Sequence, residues 1–331
     1  MNRRNVFGFG LASVMVLTLG LPSLSVRAQG KYPERAIRLV VPFAAGGGTD
    51  IMGRRFANKV TPVLGQNVFV ENRGGAGGTI GTAEVARAKP DGYTLLVGTS
   101  STHAINPSAM ENLPYDPVKD FAPVAVLGII PMVVAVHPSV PAKTLRALVA
   151  RVKASPGTFS YGSAGMGSIN HLTGELFKKQ AGGLDIVHVP YKGAGAALVD
   201  LIAGQIPLAM VTVSSATVHH RSGKVRVLAT FGEKRSNAAP DIPTAVELGV
   251  PGMLAYTFNV ILAPAGTPKP VIEQLHKATM KVMSDAAFRK DLEGLSIDPV
   301  TDSNPEKAIR FIKEELAKWA PIIKATGTKA Q

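Results

Sequence analysis

Short apolar runs rich in β-branched residues alternate along the chain with longer stretches in which apolar residues recur every three or four positions. The short runs predict strands. These strands span residues 37–41, 68–71, 94–98, 124–127, 132–136, 159–161, 186–190, 208–213 and 225–230. The longer period predicts helices. They span residues 51–64, 80–88, 145–154, 169–180, 196–202, 268–284 and 305–325. Such alternation is typical of an α/β fold.

Four glycine-rich turns each follow a predicted strand and lead into a predicted helix. We number them in chain order: turn 1 is residues 41–50, turn 2 is 72–79, turn 3 is 161–168 and turn 4 is 190–196. Two fall in the first half of the chain and two in the second. This arrangement predicts two α/β domains that face each other, with the turns at a shared cleft.

The domain boundaries follow from two strand-like segments, 131–137 and 257–263, which we expect to cross between the domains. Domain 1 would then comprise residues 29–130 plus 258–331, and domain 2 residues 131–257. The C-terminal helices would return to domain 1.

The glycine-rich turns suggest a site for anions. Glycine allows the backbone to approach a ligand closely, and a helix N-terminus adds a partial positive charge at the same place. One such turn is weak support for a site, because most are simply tight connections. Four turns, together with the hydroxyl-rich segment 99–102, predict a polar, uncharged cleft that accepts anions.

The first 28 residues have the features of a secretory signal peptide. Arg3 and Arg4 precede an apolar run over residues 6–21, and the small-x-small pattern at 26–28 predicts cleavage after Ala28. A membrane anchor is the alternative, but glycines within the run and Pro22 disfavour it. The Arg pair matches a twin-arginine signal poorly, so the general secretory route is favoured.

The composition fits a protein that diffuses in the periplasm. The sequence has no cysteine, which rules out a lipid-modified N-terminus, and it has no second apolar span. The formal charge of +13 includes Arg3, Arg4 and Arg27, so the chain after the cleavage site carries +10. Lys and Arg are spread singly without interleaved aromatics, which disfavours nucleic acid as a partner. A basic surface is compatible with attracting anions towards a cleft.

Nucleotide and nicotinamide cofactors are disfavoured by the details of the turns. None of the four ends in the Gly-Lys-Ser/Thr of a phosphate-binding loop. Residues 75–81 depart from the dinucleotide spacing by one position, and no acidic residue follows at the distance that a ribose would require. We therefore expect no cofactor.

Catalytic and metal-binding patterns are equally weak. The run 161–165 has Tyr161 where a nucleophile elbow needs glycine. The seven histidines show no metal-ligand spacing, and His171 is best explained as a structural histidine. Asp50 and Asp200 are interpreted as a helix cap and a surface group. The sequence therefore predicts a binding protein and not an enzyme.

Several blocks of the chain, taken in order, resemble the extracytoplasmic binding proteins of tripartite tricarboxylate transporters, also called Bug-type receptors. The blocks are residues 32–33 leading to 37–50, 71–81, 89–96, 113–121, 161–163, 188–193 and 262–268. The resemblance implies a Venus-flytrap fold of the periplasmic-binding-protein kind, in which two α/β domains close on a carboxylate. It also implies delivery of that carboxylate to the subunits of a membrane transporter, and we expect the protein to act as a monomer.

The resemblance also implies a set of ligand contacts made mainly by backbone N–H groups and hydroxyls. The residues that match the family positions are Phe43, Ala44, Gly46, Ala76, Gly78, Thr79, Ser100, Ser101, Gly167, Ser168, Gly193, Ala194 and Gly195. Phe43 and Phe258 are expected to form apolar walls. Because the turns would act through their backbone, we expect Gly193→Val to impair binding more than Lys192→Ala.

Two departures from the family pattern put the identity of the ligand in doubt. Many relatives carry Asp-Asn where this chain has Val211-Thr212, and Trp and Gly where it has Phe258 and Val260. Val211 cannot face an ammonium group, so a carboxylate without an amino group is expected, unless position 211 simply packs within its strand. A second hypothesis remains open: an exported sensory protein that presents its bound carboxylate to a membrane sensor.

Overall fold

The computed structural model describes residues 32–326, so the predicted signal peptide and its cleavage site lie outside the described residues. The described strands form one sheet in the order β2-β1-β3-β9-β4-β7-β5-β6, with β8 and β10 both paired to β4. The strands are β1 (Ile37–Val41), β2 (Val68–Asn72), β3 (Thr94–Thr99), β4 (Phe121–Val136), β5 (Phe159–Ser163), β6 (Ile186–Pro190), β7 (Leu208–Thr212), β8 (Arg226–Thr230), β9 (Tyr256–Pro264) and β10 (Asp298–Pro299).

Helices cover this sheet, and most of them begin shortly after a strand ends. They are α1 (Gly48–Leu64), α2 (Thr79–Ala86), α3 (Asn106–Ala109), α4 (Leu145–Ala154), α5 (Ile169–Gln180), α6 (Ala194–Ile202), α7 (Val213–Arg221), α8 (Lys269–Met283), α9 (Ala286–Gly294) and α10 (Pro305–Thr326). A 3-10 turn over Ala76–Gly78 precedes α2, and a π-helix over Ser101–Ile105 follows β3.

The sheet consists of two groups of strands joined by β4. In the first strand group, β1 pairs in parallel with β2 and β3, and β9 runs antiparallel to β3. In the second strand group, β5 pairs in parallel with β6 and β7. β4 pairs with β9 as far as Pro131 and with β7 from Met132, so this strand passes from one group to the other.

The prediction of two strands at 124–127 and 132–136 is wrong, because both segments belong to the single 16-residue strand β4. The pairing of β4 with β9 shifts register between Pro123 and Ala125 and again between Val126 and Gly128. Irregularities of this kind let proline occupy a strand without breaking it, because a bulge relaxes the requirement for regular ladder hydrogen bonds. Gly128 and Pro131, which lie between the two predicted strands, therefore suggested a strand end where β4 continues.

The predicted helices are present, and α4 and α5 have the predicted bounds. Sequence patterns missed the π-helix, α3, α7, α9 and β10. In α7 the buried side chains include Ser214, Ser215 and Thr217, so the helix has no apolar stripe to detect. The predicted strand 208–213 ends one residue earlier, because Val213 begins this helix.

The C-terminal helices pack against the first strand group. At the start of α10, Asn304 Oδ1 accepts a hydrogen bond from the Lys307 N–H at 2.7 Å and so caps the helix. α10 lies over the π-helix and β4, and α8 lies against α1 and β4. Within α10 the buried Glu315 accepts hydrogen bonds from Trp319 Nε1 and from the Tyr256 hydroxyl on β9. The contact with Tyr256 joins α10 to β9 of the first strand group.

None of the helices formed by residues 32–326 combines the length and the apolar character that a membrane span requires.

Candidate functional site between the glycine-rich turns

The four glycine-rich turns lie at the carboxyl ends of parallel strands, where α/β folds commonly place their ligands. Turns 1 and 2 follow β1 and β2 of the first strand group, whereas turns 3 and 4 follow β5 and β6 of the second. Turn 1 contacts turn 4, and turn 2 contacts turn 3. The two strand groups therefore meet through these turns.

The contact between turns 1 and 4 is made by backbone atoms. The Ala44 N–H donates a hydrogen bond to the Lys192 carbonyl oxygen at 3.1 Å. A Cβ atom at Gly193 would lie 2.5 Å from the Ala44 nitrogen, and one at Gly195 would collide with the Ala45 carbonyl oxygen. Gly193 has φ 169°, an extended conformation open to any residue. Lack of space, and not backbone conformation, therefore explains glycine at this position.

The contact between turns 2 and 3 is equally close. A Cβ atom at Gly77 would collide with the Met166 carbonyl oxygen, and one at Gly165 would lie 3.1 Å from the Gly77 nitrogen. Both glycines also have positive φ, 61° and 113°. These glycines therefore allow one strand group to approach the other closely. The sequence pattern did not indicate this role.

A cavity lies between the turns and the sheet, with about 360 Å³ of empty space between its walls including its mouth. Only about 20 Å³ of this space is open to the centre of a water-sized molecule, so the turns nearly close the cavity in this structure. The lining residues are Phe43, Gly47, Gly48, Thr49, Asp50, Thr99, Ser101, Ala164, Ile169, Asn170, Ala194, Thr212 and Thr257. Both strand groups contribute, so a ligand here would touch each of them.

Three helices point their N-termini at this cavity. Gly48 and Thr49 begin α1, Ile169 and Asn170 begin α5, and Ala194 begins α6. First-turn N–H groups have no acceptor within their own helix. The residues before α1 and α6 are Gly47 and Gly193, which have no side chain to accept these hydrogen bonds. The arrangement therefore offers N–H donors and partial positive charge to an anion.

Asp50 is the one ionisable side chain among the described residues that line the cavity. Its Oδ1 accepts hydrogen bonds from Arg54 Nε at 3.0 Å and Asn72 Nδ2 at 2.9 Å. Its Oδ2 accepts from the Gly46 N–H at 3.0 Å and is 3.1 Å from Arg54 Nε. Asp50 lies in the first turn of α1 and does not cap it, because the N-cap is Gly47. Its charge is therefore used to fix turn 1.

The π-helix places Ser101 between the two strand groups. Ser101 Oγ accepts a hydrogen bond from the Ile169 N–H, the first residue of α5, at 2.9 Å. Its neighbour Ser100 instead bonds within the first strand group, accepting from the Phe258 N–H at 3.0 Å. Both serines are buried. Two adjacent hydroxyls thus serve different contacts, one between the strand groups and one inside the first.

Asn259 lies below the cavity with an unpaired acceptor. This fully buried residue donates from Nδ2 to Thr49 Oγ1 at 3.4 Å, whereas its Oδ1 has no partner among the described residues. Buried polar atoms are normally satisfied by protein or water. Thr49, which lines the cavity, is therefore backed by a buried amide with an unsatisfied acceptor.

His103 anchors the π-helix from the core. It is fully buried, its ring lies 4.9 Å from that of Phe121, and Nδ1 is 2.8 Å from Thr102 Oγ1. Burial lowers the pKa of His103 to about 3, from an ordinary value of 6.5. The imidazole is therefore neutral in the folded protein at neutral pH.

We expect the free energy of unfolding to fall as the pH is lowered from about 6.5 towards about 3. In that window the unfolded chain binds a proton at His103 that the folded protein excludes, worth up to about 1.4 kcal/mol per pH unit. Urea unfolding of the wild type and of His103→Leu at pH 7, 6 and 5 measures this. The variant should show a shallower slope, and equal slopes would contradict the assignment.

Three of the predicted contact residues, Phe43, Ser101 and Ala194, line the cavity. Others form the contacts between turns 1 and 4: Ala44, Gly193 and Gly195. The rest shape the turns. They are Gly46 (donor to Asp50), Ala76 (acceptor from Thr79), Gly78 (against the Phe43 ring), Thr79, Ser100, Gly167 (donor to His171 Nδ1) and Ser168 (N-cap of α5).

The structure places Val211 and Phe258 away from the cavity lining. Val211 is fully buried in β7 opposite Val133 of β4. The ring of Phe258 lies 5.0 Å from that of Phe311 on α10. Their neighbours Thr212 and Thr257 line the cavity instead, because successive side chains in a strand point to opposite faces.

Ten lining residues were not predicted, and some could have been found. They are Gly47, Gly48, Thr49, Asp50, Thr99, Ala164, Ile169, Asn170, Thr212 and Thr257. Gly47–Asp50 lie inside turn 1, and Thr99 begins the hydroxyl-rich segment. Thr257 and Thr212 depend on strand parity and on the start of α7, which the sequence pattern did not reveal.

His171, interpreted as structural, supports turn 3 from behind. Its Nδ1 accepts from the Gly167 N–H at 3.3 Å, and its ring stacks on His188 at 4.0 Å between centroids. His188 Nε2 is 2.6 Å from Ser163 Oγ, which accepts from the Gly165 N–H. Burial lowers the pKa of both histidines, that of His188 to about 3. The two neutral rings thus hold the backbone of turn 3.

We expect Lys192→Ala to change ligand affinity by no more than about threefold, and Gly193→Val to weaken it at least tenfold. The Lys192 side chain is exposed and only its carbonyl oxygen contacts turn 1, whereas a Cβ atom at 193 meets the Ala44 nitrogen. Overpacking of this kind costs about 1–3 kcal/mol. Calorimetry on the folded variants measures both affinities. A larger loss of affinity for Lys192→Ala than for Gly193→Val would contradict a backbone contact at turn 4.

Comparison with known proteins identifies the family to which the chain belongs. Residues 52–328 match the family described as "Tripartite tricarboxylate transporter family receptor". The chain therefore belongs to the tripartite tricarboxylate transporter receptors, the Bug-type solute-binding proteins, which is a family of receptors and not of enzymes. This confirms the resemblance seen in the sequence, and with it the fold of the periplasmic-binding-protein kind.

Particular relatives are similar over most of the chain. Protein BugT of Bordetella pertussis (strain Tohama I) is 37% identical over 299 residues, covering 90% of this chain and 91% of BugT. The structure of the periplasmic binding protein BugD has a TM-score of 0.87 at 36% identity, covering 91% of this chain and 100% of BugD. An R. palustris protein solved with adipate has a TM-score of 0.86 at 32% identity, covering 90% and 99%.

Proposed function

We propose that this protein is a periplasmic solute-binding protein that captures a small organic carboxylate between its two strand groups. It delivers this carboxylate, as a monomer, to a tripartite tricarboxylate-type membrane transporter. The observation that carries the proposal is the cavity itself, where the N-termini of α1, α5 and α6 converge from both strand groups. A relative with adipate supports a carboxylate as the ligand.

Binding in this cavity would hold the two strand groups together. In this proposal the first strand group belongs to one lobe, the predicted domain 1, and the second strand group belongs to the other, the predicted domain 2. A carboxylate that accepts hydrogen bonds from the starts of both α1 and α6 stabilises the contact between turns 1 and 4. No cofactor takes part in this binding, and no covalent step is required of any residue.

A thermal-shift screen of the mature protein against mono-, di-, tri- and aromatic carboxylates tests ligand binding. We expect at least one acid to raise the melting temperature, because a ligand that binds only the folded state stabilises it. If none of the acids in the panel raises the melting temperature, the proposal is contradicted. Amides of the same acids, which lack the charge, serve as matched controls and should have no effect.

Delivery to a transporter is tested separately, by uptake of the selected labelled acid. We expect a strain that lacks this protein to lose uptake, and wild type or Lys192→Ala to restore it. Gly195→Ala, which obstructs the contact with turn 1, should not restore it. Unchanged uptake in the deletion strain, with binding intact, would favour the role of a ligand sensor.

Export predicts the mature N-terminus. We expect the first residue of protein recovered from a periplasmic extract to be Gln29, because Ala28 ends the small-x-small pattern. Intact mass measurement decides this directly. Protein that keeps its first 28 residues would contradict export by a cleaved signal peptide.

A further inference from the structure

We propose that the membrane transporter docks on a groove of predicted domain 2 through an acidic segment that carries apolar side chains. This outer groove lies between α4, the end of α5 and residues 248–250. None of its described lining residues lines the cavity between the glycine-rich turns. The inference rests on the proposed function and adds the surface through which delivery would take place.

The outer groove has a mainly apolar lining with one large exposed side chain. Val149 of α4, Ala181 and Val250 line it and are partly buried. Leu248 lines it as well, with 42% of its surface exposed. A single exposed apolar side chain is ordinary on a protein surface. Leu248 is informative because it stands beside an apolar groove that it can extend when a partner covers it.

The turn that carries Leu248 is ordered by its own hydrogen bonds. The Thr244 N–H donates to Glu247 Oε2 at 2.9 Å, and the Glu247 N–H donates to Thr244 Oγ1 at 3.1 Å, as in a capping box. Arg235 Nε also donates to Glu247 Oε2, at 2.8 Å. Gly249 then has φ 81°, a left-handed conformation that favours glycine. Leu248 is therefore held in place, which lowers the ordering cost of a contact.

The charge around the outer groove is basic. Arg146 is the one ionisable side chain among its described lining residues. The Lys153 ammonium group is close by, since a Cβ atom at Gly182 of the lining would lie 2.9 Å from Lys153 Nζ. The chain has no Asp or Glu between Asp120 and Glu175, so α4 carries cations and no carboxylate. Complementary charge steers association and selects the matching partner. The outer groove therefore fits an acidic segment.

The placement of the apolar side chains favours a protein segment over a lipid bilayer. A helix that lies on a membrane turns its apolar face towards the lipid. In α4 the large apolar residues Leu145, Leu148 and Val152 are instead buried in the core. The exposed apolar group is Leu248, which belongs to a groove and not to a helix face. Side chains that project from a partner protein can enter such a groove.

The outer groove and the cavity lie at opposite ends of α5. Ile169, the first residue of this helix, lines the cavity, and Gln180, the last residue, lines the outer groove. A helix of 12 residues is about 18 Å long. Substitutions in the outer groove should therefore leave the binding of the acid intact, so that docking and capture can be measured separately.

Uptake of the labelled acid selected by the thermal-shift screen tests this surface, in a strain that lacks the chromosomal protein. The groove variants are Leu248→Asp and Arg146→Glu, which each place a negative charge in the outer groove. Arg146 lies near the start of α4, where a carboxylate favours the helix. The matched controls are Val218→Asp on α7, at a side chain that is 60% exposed, and Lys224→Glu, also at an exposed position. Neither control residue lines the outer groove.

We expect both groove variants to bind the acid within about twofold of wild type, as measured by calorimetry, because the outer groove is remote from the cavity. At equal periplasmic amounts they should restore less than about a tenth of wild-type uptake, because like charges now face the acidic partner. Both controls should restore uptake fully. A loss of acid affinity in both groove variants as large as their loss of uptake would overturn the inference.

The remaining outcomes separate this inference from the proposed function. Restoration of uptake by both groove variants to the level of the controls overturns the docking surface and leaves capture and delivery standing. An equal loss of uptake in groove variants and controls also overturns it, because the effect then belongs to surface charge in general. Sedimentation of the purified wild type with phosphatidylglycerol vesicles, lost in both groove variants, would assign the outer groove to a membrane surface instead. Undiminished uptake in the deletion strain would contradict delivery itself, and the inference with it.

Discussion

Replacing Gly195 by alanine is expected to weaken carboxylate binding on the order of 100-fold or more while leaving the protein folded. The added Cβ atom would collide with the Ala45 carbonyl oxygen, which is backbone and cannot rotate away. Overpacking costs about 1–3 kcal/mol even where side chains can adjust, and each 1.4 kcal/mol is tenfold in affinity. Because Gly195 lies in α6, alanine favours the helix itself.

A matched control is available in the same chain. Gly294 is also helical, at the end of α9, and a Cβ atom there would have nothing within 4 Å. Calorimetry with the acid selected by the thermal-shift screen should therefore show unchanged affinity for Gly294→Ala. Equal affinities of the two variants would contradict the role of the contact between turns 1 and 4 in binding.

Removing the Ser101 hydroxyl is expected to weaken binding by about 5- to 150-fold. Without Oγ the Ile169 N–H loses its acceptor where the two strand groups meet, and a buried unsatisfied donor costs about 1–3 kcal/mol. In the proposed Venus-flytrap the ligand-free protein opens at this contact. Ser101→Ala should therefore reduce affinity, as measured by calorimetry, with little change in resistance to urea in the ligand-free state.

The adjacent serine provides the opposite result. Ser100 Oγ accepts from the Phe258 N–H inside the first strand group, so Ser100→Ala should lower the free energy of unfolding by about 1–3 kcal/mol. Its effect on affinity should be the smaller of the two. If Ser100→Ala weakens binding more than Ser101→Ala, the division of labour between the two hydroxyls is wrong.

The sequence contained enough information to place the turns but not to show what they touch. Alternating apolar runs and glycine clusters located turns 1 to 4 at the correct strand ends, because local patterns determine strands and helix starts. The collision that a Cβ atom at Gly195 would meet with Ala45 depends on two segments about 150 residues apart. No local pattern encodes such a contact.

Side-chain direction was the second thing that local patterns left open. Val211 and Phe258 were expected near the ligand, yet Thr212 and Thr257 line the cavity. A shift of one residue in a strand moves a side chain to the other face of the sheet. Both β7 and β9 are buried throughout most of their length, so no alternation of polar and apolar residues marked the face.

Asp50 shows a third limit. A single acidic residue after a glycine-rich turn suggested a helix cap, and the cap is in fact Gly47. Its contact with Asn72 follows from the pairing of β1 with β2, which brings the end of β2 beside turn 1, whereas Arg54 lies one turn further along α1. The function of such a carboxylate can be assigned only when the tertiary contacts are known.

A crystal structure of the protein with the tightest-binding acid tests the central claim most directly. We expect the carboxylate oxygens to lie within about 3.2 Å of backbone nitrogens at the starts of both α1 and α6, among Gly48, Thr49, Ala194 and Gly195. Binding of the acid elsewhere, for example in the groove beside Lys307 and Arg310, would contradict capture between the glycine-rich turns.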